Sequence, residues 1–424
     1  MPTEWLKPRA EADKPGHEAL KTGDAVRKPD DRELKAGDRH QMGAGDRMSD
    51  PLQQLRTESA QRLRQLQEAM EAQGVDLVAV PPGPNFFYLT GFTPKPDERP
   101  SFLLLSSRGM AFLMPALNLE QCRQELAHLA HAPMASYRDE EWPGRAMGSL
   151  ASALGGPVRR MAVDDAMRAD FLLLLRGSWP DAEICLASPL LNPLRMVKSP
   201  AELALLEESA ALADEAVRVA AAACRAGATE LEVAAAAADA LRRGGAQDVL
   251  FTSIAAGPNG ALPHHHTGDR RLAPGDGVTV DVGARRHGYC SDITRVVAVG
   301  EPPADYVAVH RVVDAAVRAA LSAIKPGVRC GDVDRAARAV IEEAGYGPYF
   351  VHRTGHGLGL EAHEAPSVSS ANDLILEEGM VFTVEPGVYL PGRFGVRLEE
   401  VAVVTATGAR TLSQLRRDIL PGGG

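Results

Sequence analysis

Two helical patterns followed by a strand pair occur twice in the second half of this chain, and both strand pairs carry carboxylates inside apolar runs. Ser199, Pro200 and Glu202 form a capping box with proline at the first helical position, opening an Ala- and Leu-rich helix over 200–226. Thr229 and Glu232 cap a second helix, which Gly244 and Gly245 close. Residues 278–282 and 289–299 then read as strands joined by a short turn ending at Gly288. The order repeats, with helices over 305–324 and 333–344 and strands over 380–385 and 395–404. The pattern predicts an internally duplicated domain whose halves share little sequence.

Alternation along a strand puts Thr279, Asp281 and Gly283 on one face, and Asp292 with Thr294 on one face of the partner, so the hairpin can set Asp281 opposite Asp292. In the second pair Thr383 shares a face with Glu385, and Arg397 with Glu399. Their neighbours Val278, Val280, Val282, Val381, Phe382 and Val384 are apolar. Bare carboxylates in such surroundings repel one another and protonate unless cations join them. One such acid reads as a salt-bridged strand end; four in duplicated positions do not. Two divalent ions balance four carboxylates in charge, and oxygen-rich ligation with one or two imidazoles suits Mn²⁺, Co²⁺, Fe²⁺ or Zn²⁺. Residues 350–363 add His352, His356 and His363 in a glycine-rich stretch, where glycine lets backbone come close to a metal. From the loop run His264-His265-His266, one residue at most is given a function.

The first half has a different texture. Residues 52–73 read as an amphipathic helix ended by Gly74, and apolar runs at 75–80, 101–105 and 110–114 read as strands. With helical patterns at 117–130 and 147–154, they predict a compact α/β domain, after which Pro189 and Pro193 punctuate the chain. Residues 1–50, rich in Asp, Lys, Arg, Gly and Glu without an apolar period, are expected to be a disordered charged extension, with Met48 an alternative start. The expected division is 1–50, 51–192 and 193–424. A net charge of −10 without a basic block argues against nucleic acid as a partner. No apolar run reaches the ~18 residues that would span a membrane, and the charged start Met1–Lys7 is not a secretory signal. Five scattered cysteines without a Cys-x-x-Cys pair suit reduced thiols in a cytoplasm.

Five segments in order resemble the pita-bread metallopeptidases, and within them the prolidase and aminopeptidase P branch: Asp281-Val282-Gly283-Ala284, Ser291-Asp292-Ile293-Thr294-Arg295, Gly355-His356-Gly357-Leu358-Gly359-Leu360, Val384-Glu385-Pro386-Gly387 and Val396-Arg397-Leu398-Glu399. The resemblance runs from about residue 51 to the end. It implies an α/β (α+β) chain, with a creatinase-like N-terminal α/β domain followed by a pseudo-symmetric pita-bread catalytic domain. It implies two divalent ions, Mn²⁺ foremost with Co²⁺ or Zn²⁺ as alternatives, held by Asp281, Asp292, His356, Glu385 and Glu399, with Asp292 and Glu399 reaching both. By the same match His264, His352, His363 and Arg397 surround the substrate, a small peptide with proline at its second position. The implied reaction is Xaa-Pro dipeptide hydrolysis by metal-activated water, with Glu385 as general base and His363 stabilising the oxyanion. A homodimer is expected from family analogy.

Two departures stand out. Many relatives carry a tyrosine just before the Gly-x-Asn-Gly loop, where this chain reads Val249-Leu250-Phe251-Thr252; and Glu400 follows the last ligand where aspartate is more frequent. Selectivity for a dipeptide needs cations beyond the prolyl ring. Arg397 offers a fixed charge, His264 with His265 and His266 offers donors, and the proline-stiffened residues 93–100, with Lys95 and Arg99, could close that end. The competing readings are an Xaa-Pro aminopeptidase acting on longer peptides and, more remotely, a non-catalytic pita-bread binding protein. Methionine aminopeptidase fits less well because an N-terminal domain precedes the motifs, and metal-free creatinase because all five ligands are kept.

Overall fold

The computed structural model describes residues 51–423, so the extension expected at 1–50 lies outside the described residues. Helix Pro51–Gln73 ends at Gly74 as its pattern predicts. A six-stranded sheet follows, ordered Met134–Tyr137, Gly109–Pro115, Phe102–Ser106, Leu77–Val80, Arg160–Val163 and Glu183–Leu186. Its central strands read as unbroken apolar runs because both faces are covered. Val78, Val80, Leu103 and Leu105 pack with Leu55, Leu63 and Leu66 of the first helix. Leu77, Ala79, Phe102 and Leu104 face the other way, onto helices Gly144–Leu154 and Ala169–Ser178.

Pro189 and Pro193 do not interrupt the chain as the sequence suggested. A helix runs over Ser188–Met196, with Pro189 in its first turn, where no amide hydrogen is needed, and Pro193 inside it. Burial of Leu190, Leu191 and Met196 offsets the hydrogen bond that Pro193 cannot make.

Beyond it, helices Pro200–Ala223 and Glu230–Arg243 both open with complete capping boxes. They cover a sheet ordered Leu420–Pro421, Ile293–Ala298, Gly277–Arg286 and Asp248–Ala256. The last of these strands was not foreseen. It is an edge strand, exposed or half-exposed over its first six residues, so it lacks an apolar signature. The second helix pair, Ala304–Ala323 and Cys330–Glu343, packs on a sheet ordered Glu364–Val368, Gly355–Gly357, Val381–Val384, Glu400–Thr405 and Gly408–Thr411. The expected strand 395–404 is in fact broken at Leu398 and Glu399. Val381–Val384 pairs with Glu400–Thr405, while Gly387–Leu390 and Phe394–Arg397 form their own two-stranded ribbon.

One register also differs from expectation. His287 and Gly288 make a two-residue turn with φ of 51° and 86°, the positive pair a type I′ hairpin requires. That turn aligns Val282 with Ile293 and Asp281 with Thr294, so Asp281 faces Thr294 and not Asp292. Asp292 lies just ahead of the strand, a diagonal neighbour of Asp281.

Candidate active site

All nine residues singled out from the sequence line one cavity of about 570 Å³. Glycines let the strand carrying His356 sink between its neighbours: a Cβ on Gly355 would stand 1.8 Å from the Thr383 carbonyl, and one on Gly357 2.0 Å from that of Ala365. The His356 ring is thereby held from behind. Its Nδ1 donates to the Gly357 carbonyl (3.2 Å), so Nε2 is the nitrogen turned into the site: it donates to Glu385 Oε1 (3.1 Å) and lies 3.8 Å from Asp292 Oδ2, and giving up its hydrogen would free a lone pair for a cation. Thr383 braces both partners, accepting from the His356 amide (3.0 Å) and donating to Glu385 Oε1 (3.2 Å).

A second brace runs through Thr294 and Arg397. Thr294 donates to Glu399 Oε2 (2.8 Å) and accepts from Arg397 Nε (3.2 Å), while Arg397 Nη2 donates to Asp281 Oδ2 (2.7 Å). Arg397 Nη1 donates to the Tyr389 hydroxyl (3.1 Å), and Tyr389 donates to His352 Nε2 (2.8 Å). His352 Nδ1 donates in turn to the Arg353 carbonyl (2.7 Å). A carbonyl can only accept, so Nδ1 carries the hydrogen and both nitrogens of His352 are engaged. Behind the site the fully buried Arg295 donates to the Glu399 carbonyl, to Glu400 Oε1 (2.8 Å) and to the Leu415 carbonyl (2.8 Å). The longer Glu400 side chain is thus absorbed in an ion pair away from the cavity.

What remains is a set of oxygens without partners. Asp281 Oδ1 and Glu399 Oε1 are buried with no hydrogen bond. Burial, and then the negative charge of Glu399, Asp281 and Glu385, pushes the Asp292 carboxyl well above the usual carboxylate range. Glu399 is raised well above it by burial and then by Glu385 and Asp281. Asp281 is raised by burial against the opposing charge of Arg397. Glu385 behaves oppositely: burial would raise it, but the His356 hydrogen bond and the charges of His356 and Arg397 hold it low. Asp292, His356 and Glu399 each offer a ligand atom, all within 4.8 Å of one another. Crowded acids, unpaired oxygens and one imidazole nitrogen make a donor set that fits hard to borderline divalent cations.

The three-histidine run separates cleanly. His265 Nε2 donates to Glu230 Oε2 (2.8 Å), whose other oxygen accepts from the Ala256 amide and Asn259, so His265 anchors the loop. His264 stands exposed at the cavity rim. His363 is exposed too and lies against His356, with ring centroids 4.1 Å apart; burial and then the neighbouring His356 and Arg353 lower its pKa. Residues 93–100 are not among the lining residues of this chain, and Arg99 is tied to Asp139 (2.8 Å). Sequence reasoning missed Tyr389, two residues beyond the Glu385-Pro386-Gly387 signature, which brings a phenol into the site where Phe251 withholds one. It also missed the bracing by Thr294 and Arg295, and Arg353.

A family model described as metallopeptidase family M24 matches residues 204–406, and one described as creatinase/prolidase N-terminal domain matches 62–197. The chain is 38% identical over 363 residues to the probable dipeptidase PepE of Mycobacterium tuberculosis, covering 85% of this chain and 96% of that protein. It is 31% identical over 361 residues to an Xaa-Pro dipeptidase of Pyrococcus horikoshii, covering 85% and 99%. The crystal structure of a prolidase from Thermococcus sibiricus superposes with a TM-score of 0.80 at 33% identity, covering 86% of this chain and 99% of that one. Pita-bread architecture, two helix pairs over two sheets and a creatinase-type domain ahead of them are common to the group. The chain belongs to metallopeptidase family M24, in its prolidase branch.

Proposed function

We propose that the protein is an Xaa-Pro dipeptidase whose site would hold two divalent ions on Asp281, Asp292, His356, Glu385 and Glu399. The observation that carries this reading is the buried carboxylate cluster with its unpaired Asp281 and Glu399 oxygens beside His356 Nε2. Mn²⁺ is our first choice among ions that accept this set, Co²⁺ and Zn²⁺ the alternatives. Bound there, the ions supply a water made nucleophilic at neutral pH and positive charge for the developing oxyanion.

The protein's own groups do the rest. Glu385, held low enough to be ionised at neutral pH, takes the proton of the attacking water. As the carbonyl carbon gains that oxygen, His363 donates to the oxyanion, and the proton on Glu385 passes to the prolyl nitrogen as the C–N bond breaks. Arg397 fixes Asp281 and, through Tyr389, the ring of His352. Phe251 and Pro263 give the cavity apolar walls for the prolyl ring. His363→Ala is expected to lower kcat by ~10²–10³-fold with metal content unchanged, as for loss of one oxyanion donor. Metal loss in that variant would make His363 a ligand instead.

The test of the reading is kcat/KM for Ala-Pro, Ala-Pro amide and Ala-Pro-Ala after loading with Mn²⁺, Co²⁺ or Zn²⁺. A strong preference for the free dipeptide supports it; equal or faster cleavage of the amide and tripeptide transfers the protein to the aminopeptidases. We further propose the division at residues 192 and 193, a cytoplasmic location, and a homodimer that sedimentation at micromolar concentration would reveal. Among the described residues no helix is long and apolar enough to cross a membrane.

A further inference from the structure

We infer that Arg353 is the residue that recognises the substrate's C-terminal carboxylate and so sets the preference for a free dipeptide; the inference rests on the dipeptidase reading. The sequence pointed to Arg397 for this charge, but that guanidinium is already committed. It is 7% exposed and donates to Asp281, Tyr389, Thr294 and, at 3.4 Å, to the Pro263 carbonyl. Withdrawing it to meet a substrate would strip Asp281 of its counter-charge.

Arg353 is in the opposite condition. It lines the same cavity and is exposed, and its guanidinium has one hydrogen bond, from Nη1 to the Ser367 hydroxyl at 3.3 Å. No carboxylate lies within ion-pair distance of it among the described residues. It follows His352 and precedes the strand carrying His356, so the backbone that fixes the His352 ring also fixes the root of this side chain. The cavity lining thus joins the crowded acids Asp281, Asp292, Glu385 and Glu399 to a cation, Arg353, that none of them engages. A dipeptide at neutral pH is a zwitterion, with its carboxylate one residue beyond the scissile bond. A guanidinium with four of its five N–H groups uncommitted can meet that carboxylate with two parallel hydrogen bonds. A peptide that continues past proline presents a neutral amide there and gains nothing from the charge.

The experiment compares wild type, Arg353→Ala and Arg353→Lys, all loaded with Mn²⁺, on Ala-Pro, Ala-Pro amide and Glu-Pro. In Arg353→Ala, kcat/KM for Ala-Pro should fall about tenfold or more, chiefly through KM, with the amide changed by less than about twofold. Arg353→Lys should recover part of the loss, since it keeps the charge without the fork. Equal losses on dipeptide and amide would make Arg353 structural and overturn the inference, as would an unchanged ratio. A change confined to Glu-Pro against Ala-Pro would assign Arg353 to the side chain before proline, and overturn it too. Wild type without any preference for the dipeptide would sink the dipeptidase reading itself. Wild-type preference surviving in Arg353→Ala would sink the Arg353 assignment alone.

Discussion

The Glu399→Gln protein is expected to lose bound divalent metal and turnover together, with metal falling below one ion per chain and kcat dropping more than about 10³-fold. Glutamine keeps the length of the side chain and an oxygen for the Thr294 hydroxyl that Glu399 accepts at 2.8 Å, so the local fold has no reason to collapse. In the proposed site it removes the negative charge that Glu399 would offer to the bound cations. The metal-free proteins should show the opposite sign. Wild-type Glu399 is crowded by Glu385 and Asp281 in a buried site, so the metal-free variant should melt no lower than metal-free wild type. Asp292→Asn should behave alike, because burial and the same acids bear on Asp292. Both carboxyls hold protons above the usual range when metal-free, and metal must displace those protons. Apparent metal affinity should therefore weaken as pH falls. Elemental analysis, calorimetry and an Ala-Pro assay on one preparation decide the matter; a variant with full metal and full turnover ends the assignment of that acid as a ligand.

Much of this site was legible because its chemistry is written in local patterns. The capping boxes at Ser199 and Thr229 are four-residue signals, and both form as read. The acids stood out because an apolar strand has no other use for them, and His356 because glycines flank it. What escaped the sequence depended on partners distant in the chain. The pairing of Asp281 with Thr294 is set by φ values at His287 and Gly288, and a histidine in a left-handed turn gives no advance notice of itself. Strand Asp248–Ala256 is half-exposed at a sheet edge, so no apolar period announces it. The helix through Pro193 exists because Leu190 and Leu191 find a core, a tertiary gain that local propensity cannot report. The commitment of Arg397 to Asp281 and Tyr389 escaped it for a similar reason: charge is visible in a sequence, but whether a partner already occupies it is not.

The same lesson applies to Glu364, next to His363, which the sequence left unremarked and which carries the second large expected effect. Its side chain is 5% exposed and accepts from Arg195 and from Lys198 Nζ (2.7 Å), whose own side chains are 6% and 1% exposed. Arg195 also donates to Asn85 (2.8 Å), and Asn85 to Asp164 (2.8 Å), so this ion cluster fastens the first sheet and its following helix to the loop bearing His363. Glu361 can still serve Arg195 at 2.8 Å, but Lys198 has no other carboxylate within ion-pair distance among the described residues. Glu364→Ala therefore strands a buried ammonium, and such a loss costs about 3–5 kcal/mol of folding stability. Glu364→Gln should fall between, keeping an acceptor oxygen without the charge. The pH dependence has a definite sign. Burial alone would raise the Glu364 carboxyl, but the charges of Lys198 and Arg195 outweigh it and hold the folded-state pKa low. The stabilisation is then present above the unfolded value of about 4.3 and is lost as pH falls through the folded one. Urea titrations should thus show a wide gap between wild type and Glu364→Ala at neutral pH that closes in acid. A gap that is absent at neutral pH, or that widens in acid, contradicts this account of how the His363 loop is held.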